Sequence, residues 1–269
     1  WRAFHRIDGK ILERMTPMPR IYLSPSTQEY NLYANGGNEE YYMNLIADAM
    51  SPWLLANSIR YTRNTPDMTA ASSIRQSWES AYDFYLSLHS NASPEGQEGS
   101  RRGAEVYYSP VSRNGRRAAE IIAANLREIY PYPEWVRTLP TTRLGEVTRT
   151  KPPAVLIEFA YHDNPDDADW IRQNINPIAV NVVQSMAEYF YLPFSQAVVP
   201  QMGTVATAWG NLNLRKRPFP DAQIIARLPK DSPVTVYGRW QGWYTVKAGE
   251  NLGYVSAAYI HLDEPLVDQ

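Results

Sequence analysis

The sequence predicts an α/β domain with a mainly parallel sheet and helices on both faces, followed by a small all-β barrel. Three observations carry that expectation. Up to Pro193, short apolar runs alternate with longer segments whose apolar residues recur at helical spacing, the pattern of a parallel sheet covered by helices. Ala154–Phe159 is apolar almost throughout, as a strand buried on both faces should be. Beyond Pro193 the helical spacing stops, and short alternating runs separated by Gly and Asn turns take over.

Length and composition set the outer bounds. The chain has 269 residues, 44% hydrophobic and 20% charged, room for one sizeable domain and a small one. A net charge of −2 gives no argument for nucleic acid or an anionic membrane as partner. No apolar run is long enough to span a bilayer. Cysteine is absent, which removes disulfides, thiolate metal sites and cysteine nucleophiles and is compatible with export. The chain opens Trp1–Arg2, so a processed form or a fragment is expected, with any signal peptide gone.

In chain order, residues 1–19 read as a lead-in closed by Pro17–Met18–Pro19. Ile21–Leu23 starts a strand that runs into the polar loop Ser24–Asn31. Asn38 caps a helix carrying Met43, Ile46, Ala47 and Met50 on one face, which Pro52 ends or kinks. A strand at Ile59–Thr62 and a helix at Thr69–Ala81 follow, then a buried strand from Asp83 that delivers His89, Ser90 and Asn91 to the loop Ser93–Gly103. Ala104–Tyr108 is a strand, Ser112–Tyr130 a long helix and Tyr130–Pro140 a proline-broken connection. After Ala154–Phe159, Asn164–Pro165 and Asn176–Pro177 each signal a helix start, a cap followed by proline. Residues 20–194 form the first domain, 195–202 a linker without period, and 203–265 the barrel.

Two of these positions carry chemistry. Ligands bind open α/β sheets just outside the carboxyl ends of strands, so His89 is a candidate metal ligand or general base, with a polar strand end as the plainer alternative. Glu158 is a lone carboxylate in an apolar strand, costly there unless paired or on a metal. A buried Glu beside an activated water is the pattern of metal-assisted hydrolysis. Glu40, at a helix start, is favoured by the helix dipole in any case.

These residues also carry a resemblance. Asn38–Glu39–Glu40 with Asn44–Ala47, Tyr61–Arg63, Leu88–Ala92, Gly103–Tyr108 and Pro153–Glu158 resemble, in that order, the catalytic domain of the zinc-dependent N-acetylmuramoyl-L-alanine amidases. Gly210–Arg215, Gly242–Trp243 and Gly253–Val255 are similar to bacterial SH3-like domains, which often tether wall hydrolases to their substrate. The resemblance implies a secreted or wall-associated enzyme that uses zinc to cleave the lactyl–L-alanine amide of peptidoglycan. The family's zinc-binding Glu precedes the helix asparagine by four residues, which selects Glu40 over Glu39. Its second zinc-binding His falls on His89 and its catalytic Glu on Glu158, with Asn91 bordering the substrate groove. The family's first histidine, expected after the first strand, is missing from Ser24–Asn31. That leaves Gln28 and His162 as candidates for a third ligand, and a wall-binding protein that does not cut as the alternative function. His162 lies about 13 Å along an extended strand from Glu158, so it reaches the site only if the chain turns at Tyr161–Asp163.

Overall fold

The computed structural model describes residues 18–269, so nearly all of the expected lead-in lies outside the described residues. The first half contains β1 (Arg20–Pro25), α1 (Glu39–Ala56), β2 (Arg60–Arg63), α2 (Ala70–Gln76), β3 (Phe84–Asn91), β4 (Glu105–Tyr108), α3 (Arg113–Ile129), β5 (Arg137–Pro140), α4 (Gly145–Thr148), β6 (Ala154–Tyr161), α5 (Pro165–Gln173) and α6 (Ile175–Tyr189). The strands form one sheet in the order β2-β1-β3-β6-β4-β5. All neighbours are parallel except β4 and β6, which run antiparallel.

The two faces of this sheet differ. In β1, β3 and β6, Ile21, Leu23, Phe84, Leu86, Leu88, Val155, Ile157 and Phe159 join the large core with residues of α1, α3 and α6. Successive side chains on a strand point to opposite faces. The alternate set therefore falls on the other side, where Tyr22, Tyr85 and Ala154 pack with Ile74 of α2 in a much smaller cluster. Tyr22 and Tyr85 stack there with ring centroids 5.0 Å apart. Ser24, Ser87, His89 and Glu158 share that thinly covered face by the same alternation.

Several expected boundaries move, each for a local reason. The helix α1 runs through Pro52 to Ala56, because its last turn buries Leu54 and Ala56 and so offsets the lost hydrogen bond. The helix expected over Thr69–Ala81 stops at Gln76, capped at its start by Thr69 through a reciprocal pair with Ser72. The connection Tyr130–Pro140 contains β5, which pairs in parallel with β4. Asn164 caps α5 as expected, accepting from the Asp166 and Asp167 amides. Asn176–Pro177 lies inside the first turn of α6, whose N-cap is Asn174.

The second half contains β7 (Gln196–Val205), β8 (Leu212–Arg215), β9 (Ile224–Leu228), β10 (Pro233–Trp240), β11 (Trp243–Ala248), β12 (Asn251–Ser256) and β13 (Ile260–Leu262). They form an antiparallel sheet in the order β13-β7-β10-β11-β12-β8-β9 around a core of Val198, Leu214, Val236, Val246 and Val255. The segment 195–202, expected as a linker, is largely strand β7. Its missing period has a cause: the pairing with β10 shifts register between Val236 and Gly238, and Pro200 falls in the interrupted stretch.

The barrel is docked on the end of α1. Thr245 Oγ1 donates to Ala56 O at 2.6 Å, and Asn57 Oδ1 accepts from Ser195 N at 2.7 Å. Trp53 stacks on Phe194 with centroids 5.5 Å apart and planes 2° from parallel. Gly238 lies so close that a Cβ there would stand 2.7 Å from Ala56 Cβ and 2.9 Å from Ala56 O. A side chain at that point must push the barrel away, so Gly238→Val is expected to lower stability by about 1–3 kcal/mol. A urea midpoint equal to wild type would show that the barrel is not seated on α1 in solution.

Candidate active site

The site begins with helical periodicity at the start of α1. Asn38 caps this helix, accepting from Tyr41 N at 2.8 Å, which places Glu39 and Glu40 in the first turn. Glu39, Met43, Ile46 and Met50 fall on one stripe, and all four are buried. Glu39 is therefore turned inward, and its Oε1 lies 2.8 Å from His89 Nδ1. Asn31 Nδ2 donates to Glu39 Oε2 at 2.5 Å, and Ser90 N donates to Oε1 at 3.3 Å. Glu40, the residue selected by spacing from Asn44, is rotated away and does not line the cavity. The carboxylate that meets His89 is Glu39.

The other ring nitrogen of His89 meets a residue that the sequence reading missed. Glu146 Oε2 lies 2.9 Å from His89 Nε2. Its Oε1 accepts from Ser24 Oγ at 2.8 Å, Ser87 Oγ at 3.0 Å and Tyr85 OH at 3.1 Å. All four partners come from the thinly covered face of β1 and β3, on which the one-turn helix α4 rests. Glu146 sits in a four-residue helix with no apolar period of its own, so no local signal marks it.

Burial and charge work against each other in this cluster. Desolvation alone would lower the His89 pKa, but the charges and hydrogen bonds of Glu146 and Glu39 outweigh it and hold the imidazole well above its ordinary value. Burial likewise opposes the charge on Glu39 and Glu146, yet His89 and the polar donors hold both below the ordinary carboxylate range. Glu158 is the reverse case. It stands beside His89 in the β3–β6 register and beside Glu105 in the β4–β6 register. Its Oε2 is buried with no hydrogen-bond partner among the described residues. Burial, reinforced by Glu39, Glu105 and Glu146 against the opposing charge of His89, pushes it up to about 8.

Glu39, His89, Glu146 and Glu158 line one cavity of about 580 Å³ at the carboxyl ends of β3 and β6. Gln28, Asn91 and His162 reach the same cavity. Gln28 Nε2 lies 3.3 Å from His89 Nδ1, while its Oε1 accepts from Tyr30 OH at 3.1 Å and Asn31 Nδ2 at 3.3 Å. Asn91 Nδ2 donates to Glu105 Oε2 at 3.1 Å. The chain turns after Tyr161, bringing His162 inward. There His162 Nδ1 lies 2.8 Å from Ser90 O, and the ring stacks on Tyr33 at 5.4 Å.

On the Glu39 side of His89 the donor set offers a cation two ligands. The imidazole nitrogen and the carboxylate oxygen, 2.8 Å apart, share a proton that a cation would replace. The carboxylate of Glu146 on the far nitrogen is the outer partner that metal-binding histidines carry. Among the described residues no group of three His, Cys, Asp or Glu side chains is arranged to hold a metal ion. Two protein ligands, Glu39 and His89, are what this arrangement offers, with the Gln28 amide next to them.

An α/β domain with a carboxylate–imidazole cleft at its strand ends, joined to a small antiparallel barrel, is the class of protein defined here. Residues 27–188 match the N-acetylmuramoyl-L-alanine amidase family and residues 210–261 the bacterial SH3 domain. The chain belongs to the N-acetylmuramoyl-L-alanine amidase family. Its fold is similar to that of the N-acetylmuramoyl-L-alanine amidase AmiC2 of Nostoc punctiforme, with 14% identity, a TM-score of 0.56, and 65% of this chain and 99% of that chain covered. The catalytic domain of the amidase CwlV from Bacillus (Paenibacillus) polymyxa gives 15% identity and a TM-score of 0.56, covering 65% of this chain and 99% of that one. An N-acetylmuramoyl-L-alanine amidase from Clostridium difficile 630 gives 15% and 0.57, covering 65% and 98%. No curated protein matches the sequence.

The raised pKa of Glu158 has a consequence for stability in protein freed of divalent metal. The folded chain prefers the neutral carboxyl, so this contribution is fully present below the ordinary value of 4.5 and is lost as pH rises through about 8. Glu158→Gln removes the titration. Its melting temperature is expected to gain on wild type between pH 5 and pH 9, and parallel profiles would assign the alkaline loss to other groups.

Proposed function

We propose that this chain is a wall-associated peptidoglycan amidase that hydrolyses the amide between the lactyl group of N-acetylmuramic acid and L-alanine. The observation that carries this reading is the convergence of Glu39, His89 and Glu158 in one cavity at the strand ends of an amidase-family domain. Glu39 and His89 would hold zinc, and Gln28, beside His89, is the nearest candidate to complete the set through its amide oxygen. When bound, zinc supplies a Lewis acid that polarises the scissile carbonyl and acidifies water. Glu146 fixes the His89 ring by accepting at Nε2. Glu158 takes the proton from the attacking water and returns it to the leaving amine. Asn91, tied to Glu105, borders the groove. The barrel binds the wall, as its match to the bacterial SH3 domain supports. No helix among the described residues is long and apolar enough to cross a membrane.

A second reading, wall binding without cleavage, is favoured by one observation. Both ring nitrogens of His89 already face carboxylates, so a protonated imidazole completes the cluster without metal. Metal retention separates the two. Zinc titration is expected to show weaker retention than a site with three strong ligands. Affinity should fall in Glu39→Ala and in Gln28→Ala but hold in Glu40→Ala and His162→Ala. Loss in His162→Ala instead would make that histidine the third ligand, and absence of zinc binding by wild type would favour the non-cutting reading.

Catalysis has its own check. Glu158→Gln keeps the shape but accepts no proton, so wall hydrolysis should fall by roughly 10²-fold or more with folding intact. Near-normal turnover would remove Glu158 from the mechanism.

A further inference from the structure

The side chains around the cavity carry an uneven distribution of charge. Its acidic lining residues, Glu39, Glu146 and Glu158, are clustered about His89. Its Lys and Arg lining residues are Arg143 and Arg149 alone, three positions to either side of Glu146. Both arginines are exposed, and neither side chain makes a hydrogen bond or ion pair among the described residues.

Their backbones, by contrast, are anchored. Arg149 N donates to Gly145 O at 2.8 Å, and Arg149 O accepts from Trp78 Nε1 at 3.1 Å. Arg143 N donates to Thr141 Oγ1 at 3.2 Å. Glu146 ties the segment between them to the sheet through Ser24, Tyr85, Ser87 and His89. Two guanidinium groups are thus carried on fixed backbone at a cavity whose interior repels anions. An arginine without a partner on such a wall is set to receive an oxygen pair, because its planar fork matches a carboxylate.

This inference rests on the amidase reading and names what that substrate must carry. We propose that Arg143 and Arg149 are specificity residues that hold the free α-carboxylate of the second stem-peptide residue. On that reading the scissile amide lies at His89 and Glu158, and L-alanine is followed by a residue whose α-carboxyl is either free or amidated. That carboxyl stands two residues beyond the scissile bond, about 7 Å in an extended peptide. Arg143 and Arg149 flank α4 on either side of Glu146, which itself lies 2.9 Å from His89, so both stand at the edge of such a span. A free carboxylate gains charge-assisted hydrogen bonds there, and its amide does not.

Calorimetric titration of the metal-free full chain, in which the ligands are not turned over, with two synthetic ligands tests this: N-acetylmuramoyl-L-alanyl-D-glutamate with a free α-carboxyl, and the same compound as its α-amide. Wild type is expected to bind the free acid on the order of tenfold more tightly, a preference that shrinks as salt is raised. Arg143→Gln/Arg149→Gln should bring the acid down to the affinity of the amide, with an unchanged melting temperature. Lysine at both positions should restore only part of the preference. Equal binding of the two ligands by wild type, or a preference that survives the double substitution, overturns the inference and leaves the amidase reading intact. Binding of neither ligand by wild type overturns both.

Discussion

Everything at the strand ends depends on His89 held between two buried carboxylates. Glu39 enters from the first turn of α1, Glu146 from α4, and the imidazole from the carboxyl end of strand β3. Each carboxylate alone would be an uncompensated buried charge, a penalty of several kcal/mol. Together with Asn31, Ser24, Ser87 and Tyr85 they form a closed set in which both nitrogens of His89 are engaged. Removing any one member strands the others, which is why three segments far apart in the chain must fold together for the cavity to exist.

The sheet separates stability from chemistry. One face carries the large core with α1, α3 and α6, where the apolar burial is concentrated. The other is covered by two short helices, α2 and α4, over a small cluster. A thin cover cannot fill the space above the strands, and the resulting cavity is bordered by the polar positions of the same strands whose apolar positions build the core. Glu158 shows both sides of this arrangement. Its neighbours Ile157 and Phe159 are buried in the core, while it turns to the cleft with Leu156.

Membership of the amidase family sharpens what is unusual here. The loop after β1 holds Gln28, whose amide nitrogen stands 3.3 Å from His89 Nδ1, and it contains no histidine. Carboxylates crowd around one imidazole, and burial raises the pKa of Glu158 to about 8. The barrel also departs from a loosely tethered module. Ala56, Asn57 and Trp53 bind it at the far end of α1, the helix whose first turn supplies Glu39.

The sequence by itself determined the architecture, because periodicity and turn chemistry are local. Alternating apolar runs gave the strands, the Asn38, Thr69 and Asn164 caps gave helix starts, and the loss of helical spacing after Pro193 gave the second domain. It also marked His89 and Glu158, since a polar residue ending or interrupting an apolar strand stands out without any partner in view. Glu39 was legible too, on the stripe it shares with Met43, Ile46 and Met50, although spacing from Asn44 pointed to Glu40. Glu146 and the docking of β7 on α1 were decided only by the tertiary structure. A carboxylate in a one-turn helix has no period, and a strand broken by a bulge has no alternation. Their places follow from which face of the sheet is left uncovered, a property of the packed layers and of no single segment.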